Sequence, residues 1–533
     1  MLRTQLYADP AGRFVHDIVL QSCHRYAGKT ALIDSSAGDS SAGRRLTYAE
    51  YGSLVESLAR GLVSAGLAPG EVLAIFLSNS WEFAIAYHAA TLAGAFPTLL
   101  NPAYREREVR YQLENSGATF LITDSPLLEG INLSGLPALR RVFTTRTSFP
   151  GAPNPGTEDF ASLLRPTSAA LPRASASSAE TIAALPYSSG TTGLPKGVML
   201  SHYNLVANVY QLLGPNASAL VPDDVMLCFL PLYHIYGLTL ALTLSLARGS
   251  TLILMPRFDL KKMTELILDE GVTMMPMVPP AINALCQAAE SGAFPKEHRV
   301  HWIMSGAAPL AAELPHRLTG LTGILVVQGY GMTEASPVTH VGYLAPAEVY
   351  RPASIGHPLA LTECRVLDLN GNPAAPGEPG ELVMRGPQFM LGYWNDPQAT
   401  AAVLRDGWFF SGDIVRTDAD GFYYVLDRIK EMIKYKGFPV APAEVESVLL
   451  EHPAVRDCGV VAKPDPEAGE IPCAFIVVRD GFTPCAALDQ QLRDFVAGRL
   501  AHHKQPREIR FVDALPRTPS GKILRRELRN ALG

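Results

Sequence analysis

The stretch YSSGTTGLPKGVMLSH, residues 187–202, gives the first indication of the fold. Its residues 188–197 contain two serines, two threonines, three glycines and one lysine. Hydroxyl groups, backbone N–H groups that glycine leaves accessible, and a lysine ammonium all bind anionic oxygens. The stretch therefore predicts a loop that binds phosphate. A plain glycine-rich turn is the alternative interpretation, but turns rarely combine SSGTT with a lysine.

The loop does not follow the pattern of a nucleotide-binding P-loop. That motif requires Gly-Lys-Ser/Thr at the start of a helix that directly follows a strand. Here Pro195 precedes Lys196, Gly197 follows it, and GVMLS after them is typical of another strand. A helix is expected only after Ser201, a good N-cap, with an apolar face formed by Leu205, Val206, Val209, Leu212 and Leu213. We therefore expect a strand–loop–strand hairpin and not a P-loop NTPase.

Length, charge and cysteine content narrow the class of protein. The chain has 533 residues, too many for one hydrophobic core, and so predicts two or more domains. Its net charge of -6 is spread without long charged runs, which argues against nucleic acid or an anionic membrane surface as a partner. The cysteines form no C-x-x-C pair and indicate free thiols in a reducing cytoplasm. They are Cys23, Cys228, Cys286, Cys364, Cys458, Cys473 and Cys485.

Neither the ends of the chain nor its most apolar segment predicts a targeting signal or a membrane span. The N-terminal MLRTQLYADPAGRFV lacks the apolar core of a signal peptide, and the final RNALG carries no targeting tripeptide. The most apolar run, residues 237–256, is interrupted by Arg248 and Gly249. We expect its first half to be a buried helix and its second half a buried strand.

Strand and helix patterns alternate over residues 46–340. This alternation predicts a layered α/β body with largely parallel sheets. The strand candidates are EVLAIFL, ATFLITD, VMLCFLP, STLILMP and GILVVQG, and the helix candidates include LTYAEYGSLVESLARGLVSAGL and LKKMTELILDEG. Residues 150–180 are rich in Pro, Ser and Ala and predict a surface connection without function.

The pattern changes after residue 350. Short strands separated by Gly, Pro and Asn, as in RVLDLNGNPAAPGEPGELVMRG, predict a smaller β-rich unit. Beyond Asp427, the segments PAEVESVLLEH and LDQQLRDFVAGRL predict two amphipathic helices in an α+β tail domain of about a hundred residues. The apolar face of the second helix consists of Leu488, Leu492, Phe495, Val496 and Leu500. The chain shows no internal repeat.

The hairpin sequence resembles the phosphate-binding signature of the adenylate-forming superfamily of acyl-CoA synthetases, luciferases and peptide-synthetase adenylation domains. Further motifs agree with that family in order and spacing over most of the chain. They are LPLYHIYG (230–237), SGAAPL (305–310), QGYGMTEASPV (328–338), GWFFSGDIV (407–415), DRIKEMIKYKGFPVAPAEVE (427–446) and PRTPSGKILRREL (516–528). The pattern is most similar to that of the 4-coumarate and fatty acid CoA ligases.

The resemblance implies an ATP-dependent carboxylic acid:CoA ligase, which forms an acyl-adenylate and pyrophosphate and then a thioester. It implies an N-terminal adenylation domain over residues 1–426 and a mobile C-terminal domain over residues 427–533, with Asp427 as the hinge. The implied ligands are ATP, Mg2+, coenzyme A and a small carboxylic acid. Either an aryl acid or a medium-chain fatty acid fits these motifs.

The motifs also imply roles for individual residues in binding nucleotide. Asp413 would bind the ribose hydroxyls with help from Arg428, and Lys522 would contact the attacking carboxylate and the α-phosphate. Glu334 and Thr192 would hold the metal ion. The remaining nucleotide-binding candidates are Ser188, Ser189, Gly190, Thr191, Gly193, Lys196, Ala307, Ala308, Gly329, Tyr330, Gly331, Met332 and Thr333.

The C-terminal motifs imply a change of conformation between the two half-reactions. Lys522 is assigned to adenylation, whereas Lys434, Lys436, Gly437 and Phe438 are assigned to coenzyme A. Because one rigid face cannot present both sets at once, we expect residues 428–533 to rotate about Asp427 between the steps.

The acid-binding motifs point to a mainly apolar pocket. The resemblance assigns this pocket to Tyr236, Met304, Ala307, Ser336, Pro337 and Val338. It places His234 beside the substrate carboxylate; alternatively, His234 is a core residue whose hydrogen bonds are made within the protein. LPLYHIYG contains no aspartate to pair a substrate ammonium, which argues against an amino acid. Met304 stands where plant hydroxycinnamate ligases can have a lysine, and this puts a 4-hydroxycinnamate in doubt.

Three positions depart from the family motifs, and three other activities remain as alternatives to a CoA ligase. Phe410 and Ser411 replace His and Thr of the WFHTGD signature, and Pro439 in KGFP lacks the amide of KGFQ and a backbone N–H. An adenylating enzyme that loads a carrier-protein thiol would use the same first step. A non-catalytic nucleotide sensor and a luciferase-type enzyme are further alternatives.

Overall fold

The computed structural model describes residues 5–36, 43–145, 156–172, 177–188, 194–215, 217, 220–310, 312–342, 350–368, 370–436, 438–517 and 523–532. The helices are α1 (Val15–Arg25), α2 (Tyr48–Ser64), α3 (Trp81–Leu92), α4 (Glu106–Ser116), α5 (His202–Leu213), α6 (Leu244–Arg248), α7 (Leu260–Asp269), α8 (Pro279–Glu290), α9 (Glu313–Thr322), α10 (Pro397–Val403), α11 (Pro442–Leu450), α12 (Ala486–Ala497) and α13 (Arg525–Asn530).

The strands of the first half of the chain are short and mostly buried on both faces, as parallel strands are. They are β1 (Thr30–Asp34), β2 (Arg44–Thr47), β3 (Val72–Phe76), β4 (Phe96–Leu99), β5 (Phe120–Thr123), β6 (Arg141–Thr144), β7 (Thr157–Asp159), β8 (Ile182–Ala184), β9 (Tyr187–Ser188), β10 (Lys196–Ser201), β11 (Val225–Cys228), β12 (Thr251–Leu254), β13 (Met274–Met277) and β14 (Trp302–Ser305).

The strands of the second half include longer antiparallel ribbons. They are β15 (Leu325–Gly331), β16 (Val338–Val341), β17 (His357–Pro358), β18 (Glu363–Leu367), β19 (Gly380–Arg385), β20 (Gly392–Tyr393), β21 (Leu404–Arg405), β22 (Trp408–Thr417), β23 (Tyr423–Arg428), β24 (Ile433–Tyr435), β25 (Phe438–Val440), β26 (Val455–Asp465), β27 (Gly469–Val478) and β28 (Glu508–Phe511).

Two sheets with helices between their strands form the N-terminal body. Within the described residues, one has the strand order β17-β16-β15-β14-β13-β11-β12-β1-β2 and the other has the order β4-β3-β5-β6-β7. The pairs from β12 to β15 and all pairs of the second sheet are parallel, whereas β2, β16 and β17 join antiparallel. The prediction of a layered α/β body with largely parallel sheets is confirmed.

The hairpin predicted from residues 187–202 is present. β9 and β10 pair antiparallel, with Lys196 opposite Ser188, and β10 also pairs with β8 and β20. The helix that follows begins after Ser201, whose hydroxyl accepts from the N–H of Asn204 at 3.1 Å, while Asn204 Oδ1 accepts from the N–H of Ser201. This reciprocal cap satisfies two backbone donors and fixes the point where β10 ends.

The apolar run over residues 237–256 forms a helix and then a strand, as expected. A π-helix over Tyr236–Thr243 continues into α6, which ends where Gly249 adopts a left-handed φ of 90°, and β12 follows. Glycine suits this position because it has no side chain to disfavour a positive φ. Among the described residues, every helix is too short or too polar to cross a bilayer.

One prediction from composition was wrong. Residues 157–164 were expected in a surface connection, but Thr157–Asp159 forms β7 at the edge of the second sheet, and a 3-10 helix follows it. Phe160 and Leu163 of this helix are buried. Gly61 of α2 permits the contact, since a Cβ there would lie 1.9 Å from the Leu163 carbonyl oxygen. The burial of two side chains outweighs the loop-like composition around them.

The remaining strands form an antiparallel unit and a C-terminal α+β unit. The antiparallel sheet has the order β18-β19-β22-β21, with β23 paired to β22. The last sheet has the order β25-β24-β27-β26, with β28 parallel to β27, and α11 and α12 pack on it. Its core, which includes Ile433, Val445 and Leu492, is separate from the core of the body. The predicted division at Asp427 itself stays a prediction.

Buried histidines give the body a defined response to acid. Burial lowers the pKa of His202 and of His88 to about 3, because desolvation disfavours the charged imidazole. The unfolded chain takes up these protons near pH 6.5, so their contribution to stability is complete above that pH and declines towards pH 3. We predict that His202→Gln reduces the loss of unfolding free energy between pH 6 and pH 4 by about 1.4 kcal/mol per pH unit.

Urea denaturation at several pH values measures this slope. Glutamine keeps an acceptor for the N–H of Val15, which His202 Nδ1 now accepts at 3.1 Å. The exposed His24→Gln serves as the control variant. A slope equal to that of the wild type in His202→Gln would contradict the prediction.

Candidate functional site

Glu334 lies at the base of the β9–β10 hairpin, called here the phosphate-loop hairpin because residues 188–197 are predicted to bind phosphate. It belongs to a 3-10 turn over Thr333–Ala335 that follows β15. Its Oε1 accepts hydrogen bonds from Ser188 Oγ at 3.1 Å and from the Tyr393 hydroxyl at 2.8 Å. Ser188 is the last described residue before the loop, so the carboxylate assigned to the metal ion is adjacent to the loop assigned to phosphate. These residues are 146 positions apart in sequence.

Lys196 lies on the strand that leaves the loop. Its Nζ is 3.2 Å from Asp396 Oδ2 and 5.4 Å from the centroid of the Tyr393 ring. Both members of the ion pair are more than a third exposed, so the pair adds little to stability. The Lys196 ammonium therefore lies beside the loop, and an anion that carries more charge than Asp396 can compete for it.

Asp413 is the centre of a second group of charges. Its buried carboxylate accepts from the Tyr330 hydroxyl at 2.5 Å and pairs with Arg428 Nε at 2.9 Å. The register of β22 and β23 sets Asp413 directly opposite Arg428. Asp413 raises the pKa of Arg428, and Tyr330 and Glu334 add to that effect. Burial and then Asp413 raise the pKa of Tyr330, so its hydroxyl stays a donor.

The preceding residues hold the Asp413 backbone. Ser411 Oγ donates to the Leu382 carbonyl oxygen at 2.6 Å and accepts from the N–H of Asp413 at 3.1 Å. The hydroxyl that Ser411 retains therefore fixes the turn before the carboxylate. Both contacts need a hydroxyl, which Ser411 keeps although it replaces the threonine of the WFHTGD signature.

Asp427, the residue before the end of β23, contacts the C-terminal unit. Its Oδ1 accepts from the N–H of Arg428 at 2.7 Å, and its Oδ2 accepts from the N–H of Ala443 in the first turn of α11 at 2.8 Å. Burial raises the pKa of Asp427 to about 6, and the nearby Arg525 and the two N–H groups oppose that shift. A carboxylate at a helix N-terminus is favoured by the exposed N–H groups.

The last helix is attached to the residues around Asp427. Arg525 Nη2 donates to Glu446 Oε2 at 2.9 Å, and both side chains are largely buried. Arg529 Nη1 donates to Glu431 Oε2 at 2.6 Å. These bonds connect α13 to α11 and to the segment that follows Asp427. Sequence reasoning did not assign a role to either arginine.

The segment after β15 makes a tight turn that presents Glu334. The Pro337 carbonyl oxygen accepts from the N–H of Met332 at 2.9 Å. A Cβ on Gly331 would lie 1.9 Å from that same oxygen, so only glycine fits there without displacement. Ser336 adopts a left-handed φ of 69°, and its Oγ is buried with no hydrogen-bond partner among the described residues.

Tyr236 and Met304, both assigned to the acid pocket, contact each other. The Tyr236 hydroxyl donates to the Met304 carbonyl oxygen at 2.9 Å. A Cβ on Gly306 would lie 3.0 Å from the Tyr236 ring, and one on Gly329 would lie 3.2 Å from Met304 Sδ. Pro337 and Val338 are buried at the start of β16, two strands from β14. These contacts define a mainly apolar region beside the Glu334 turn.

His234 lies before the π-helix and is partly exposed. Its Nδ1 accepts from the N–H of Tyr236 at 3.3 Å. Desolvation lowers its pKa to about 4. The imidazole is therefore neutral at physiological pH, which suits positioning better than transfer of a proton from a cation.

Other candidates differ in how much the structure says about them. Ala307 is exposed with a φ of 68°, and Lys436 has a φ of 47°. Lys434 of β24 is exposed, and its N–H donates to Glu470 Oε2 at 2.7 Å. The candidates outside the described residues are Ser189, Gly190, Thr191, Thr192, Gly193, Gly437 and Lys522, and the side chain of Phe438 is likewise not described.

The structure also identifies site residues that sequence reasoning missed. Tyr393 and Asp396 contact Glu334 and Lys196, but they lie in the motif LGYWNDP, which carries no phosphate-binding pattern of its own. The only sequence signal is a short strand followed by Asp396, which caps α10 through the N–H of Ala399 at 2.9 Å. Among the described residues, no cluster of three His, Cys, Asp or Glu side chains could hold a metal ion.

Comparison with known families agrees with this arrangement. The family model for AMP-binding enzymes matches residues 19–394, and the model for the AMP-binding enzyme C-terminal domain matches residues 444–522. The first match covers more than half of the chain. The protein therefore belongs to the AMP-binding enzyme family, and the resemblance drawn from its motifs is confirmed.

Curated relatives align over nearly the whole chain. A 4-coumarate–CoA ligase of Oryza sativa subsp. japonica is 38% identical over 527 residues, which cover 97% of this chain and 94% of that protein. A 4-coumarate–CoA ligase of Petroselinum crispum is 36% identical over 522 residues, which cover 97% and 93%.

Solved structures share the fold at lower identity. An anthranilate CoA ligase in complex with anthranoyl-AMP has a TM-score of 0.86 and 27% identity, covering 97% of both chains. ATP-bound MatB from Rhodopseudomonas palustris has a TM-score of 0.85 and 28% identity, covering 97% of this chain and 99% of that one. A benzoate CoA ligase from Burkholderia xenovorans LB400 has a TM-score of 0.85 and 27% identity, covering 97% and 100%. The predicted fold class is thereby confirmed.

The tight turn beside Glu334 gives a stability and binding prediction. We expect Gly331→Ala to push the Pro337 carbonyl oxygen away, because the added Cβ would lie 1.9 Å from it. The displacement should lower the free energy of unfolding by about 1–3 kcal/mol and weaken ATP binding. Thermal unfolding and calorimetric titration with ATP measure the two effects.

Gly320→Ala is the matched control. Gly320 lies in α9, and a Cβ there would meet no described atom within 4 Å. Alanine in an open helical position should raise stability by up to about 1 kcal/mol and leave ATP binding unchanged. If Gly331→Ala behaves like this control, the turn does not depend on glycine.

Proposed function

We propose that this protein is an ATP-dependent carboxylic acid:CoA ligase of the AMP-binding family that acts on an aryl acid. The observation that carries the proposal is a pair of carboxylates, each held in place by neighbouring hydrogen-bond donors. Glu334 contacts Ser188 at the phosphate-loop hairpin, and Asp413 lies in a donor-rich setting with Tyr330 and Arg428. Near-full-length similarity to 4-coumarate–CoA ligases supports the same activity.

The reaction has two steps whose bonds balance. In the first, an oxygen of the substrate carboxylate attacks the α-phosphorus of ATP, and the bond from that phosphorus to the pyrophosphate oxygen breaks. In the second, the sulfur of coenzyme A attacks the acyl carbon, and the C–O bond to AMP breaks. The thiol proton leaves to solvent or a base. Both steps bring anions together, so positioned cations and donors lower the barrier.

The first step assigns roles to groups around the hairpin. Ser188 and Lys196, with the loop residues 189–193, would bind the β- and γ-phosphates, and Asp413 would accept the ribose hydroxyls. Lys522 would contact the carboxylate and the α-phosphate. Tyr330 and Arg428, which now donate to Asp413, would orient that carboxylate towards the ribose.

The proposal includes Mg2+, and the oxygen ligands present are compatible with this ion. Both described hydrogen bonds to the Glu334 carboxylate end on Oε1, and among the described residues none ends on Oε2. A carboxylate oxygen beside hydroxyl groups suits a hard divalent cation, and Thr192 is the proposed second ligand. When bound, the ion would neutralise charge on the phosphates.

The second step requires coenzyme A to approach the acyl carbon. We assign Lys434 and Lys436 to its phosphates and residues 437–438 to its pantetheine arm. Rotation of residues 428–533 about Asp427 would exchange Lys522 for this surface. The bonds of α13 to Glu446 and Glu431 support movement of the C-terminal unit as one body.

An aryl acid is the substrate class that the observations support best. Tyr236 and Met304 pack together in a buried, mainly apolar region. The buried Ser336 hydroxyl, without a partner among the described residues, leaves one donor or acceptor for a polar substituent. The names of the related ligases include 4-coumarate, anthranilate and benzoate, all aromatic acids. Loading of a carrier protein and a cytoplasmic location stay predictions from the sequence.

A panel of acids tests the proposed function. We expect aromatic acids to stimulate pyrophosphate release from ATP, and coenzyme A to convert the product to a thioester detected by chromatography. Aliphatic acids of similar length should be used at least about tenfold less efficiently, since an apolar pocket discriminates by shape and contact area. Lys522→Ala is the inactive control, because it removes the cation proposed at the reacting carboxylate.

The panel separates the alternatives. A requirement for a carrier protein in place of free coenzyme A would favour the carrier-loading enzyme. Light emission with oxygen would favour a luciferase-type reaction. If no acid stimulates pyrophosphate release, the ligase proposal is wrong.

The hinge gives a separate prediction. Asp427→Pro should fix one backbone torsion and so restrict rotation, while leaving one conformation intact. Pyrophosphate release should then stay within about threefold of the wild type, and thioester formation from preformed acyl-AMP should fall by roughly tenfold or more.

Asp427→Ala is the control for this variant. It also removes the carboxylate that accepts from the N–H of Ala443, but it leaves the backbone free to rotate. It should therefore retain most thioester formation. Equal loss of both half-reactions in Asp427→Pro would contradict the hinge.

A further inference from the structure

Tyr393 lies between two charged side chains, Lys196 on the second strand of the β9–β10 hairpin and Glu334 in the turn after β15. β20 pairs with β10 in the register Val198 to Tyr393. The N–H of Tyr393 donates to Thr400 Oγ1 at 2.8 Å, which ties the same residue to α10. The backbone of Tyr393 is therefore fixed by β10 and by α10, and this fixes the direction in which its side chain leaves β20.

The hydroxyl of Tyr393 orients Glu334. It donates to Oε1 at 2.8 Å, on the same oxygen that accepts from Ser188 at 3.1 Å. A hydrogen bond to a charged acceptor is stronger than a neutral one and selects one rotamer of a flexible carboxylate. Two donors on one oxygen leave the other oxygen to face a ligand.

The ring of Tyr393 supports Lys196. Nζ lies 5.4 Å from the ring centroid, within the range where a cation is attracted to an aromatic face. Asp396, three residues after Tyr393, accepts the same ammonium at 3.2 Å. Tyr393 therefore contacts both Glu334, the carboxylate assigned to the metal ion, and Lys196, the cation assigned to phosphate.

We propose that Tyr393 is a positioning residue for the magnesium complex of ATP, acting through Glu334 by its hydroxyl and through Lys196 by its ring. The inference rests on the proposed function, because it assumes that Glu334 and Lys196 bind that complex. It adds that the separation of carboxylate and ammonium is set by one rigid aromatic side chain. Loss of the hydroxyl then affects the metal-dependent part of binding, and loss of the ring also affects the metal-independent part.

Two substitutions separate these contributions. Tyr393→Phe removes the hydroxyl and keeps the ring, whereas Tyr393→Leu removes both. The probe is the α,β-methylene analogue of ATP, titrated by calorimetry with and without Mg2+. With Mg2+ we expect Tyr393→Phe to bind the analogue about three- to tenfold more weakly than the wild type, and without Mg2+ within twofold of it. Tyr393→Leu should bind more weakly under both conditions.

Tyr424→Phe is the matched control for loss of a hydroxyl–carboxylate bond. The Tyr424 hydroxyl donates to Asp418 Oδ2 at 2.9 Å, outside the contacts of Glu334 and Lys196. This variant should bind the analogue like the wild type with and without Mg2+. Thermal unfolding of every variant checks that the fold is retained. If Tyr393→Leu does not fold, Tyr393→Phe alone tests the role of the hydroxyl.

A double-mutant cycle distinguishes positioning from a general structural effect. In the Glu334→Ala background, Tyr393→Phe should change the affinity for the analogue with Mg2+ by less than about twofold, because its partner is absent. Equal losses in both backgrounds, or wild-type affinity of Tyr393→Phe with Mg2+, would overturn the positioning role. If the wild type binds no analogue at all, the proposed function fails together with this inference.

Discussion

Two carboxylates in one region, Asp413 and Glu334, need donors to offset their negative charge, and this constraint governs the arrangement around them. The constraint is stricter in the proposed site for a polyanion, where the carboxylates must not repel the ligand. Each carboxylate is surrounded by donors. Asp413 accepts from Tyr330 and pairs with Arg428, and Glu334 accepts from Ser188 and Tyr393. Hydroxyl and guanidinium donors stabilise the negative charge and restrict its direction, so that each carboxylate is oriented before a ligand arrives.

The same donors connect separate parts of the fold. Arg428 ends β23, the strand that leads out of the N-terminal body, and pairs with the strand that carries Asp413. Asp427, directly before it, accepts from the first turn of α11. The proposed nucleotide site and the start of the C-terminal unit therefore meet at two consecutive residues, Asp427 and Arg428. A change in the direction of the chain at this point would alter the setting of Arg428 as well as the position of the C-terminal unit.

Local sequence predicted the elements of the site better than their contacts. The hairpin around Lys196, the cap at Ser201 and the parallel α/β body follow from period, turn residues and capping, which act over a few residues. The segment over residues 157–164 was misassigned, because its burial against Gly61 depends on a helix about a hundred positions earlier. Tyr393 and Asp396 were missed for the same reason, since neither lies near Lys196 or Glu334 in the chain.

The sequence by itself determined the family and the set of chemical groups, because ordered motifs of hydroxyls, glycines, carboxylates and lysines can be recognised without knowing where the chain runs. Only the tertiary structure decided which of those groups donate hydrogen bonds to the same oxygen or form an ion pair with each other. Ser188, Glu334 and Tyr393 meet at one carboxylate because β10 pairs with β20 while the turn after β15 comes to lie beside both. Strand pairing and packing between distant segments set such contacts, and no local pattern in the chain encodes them.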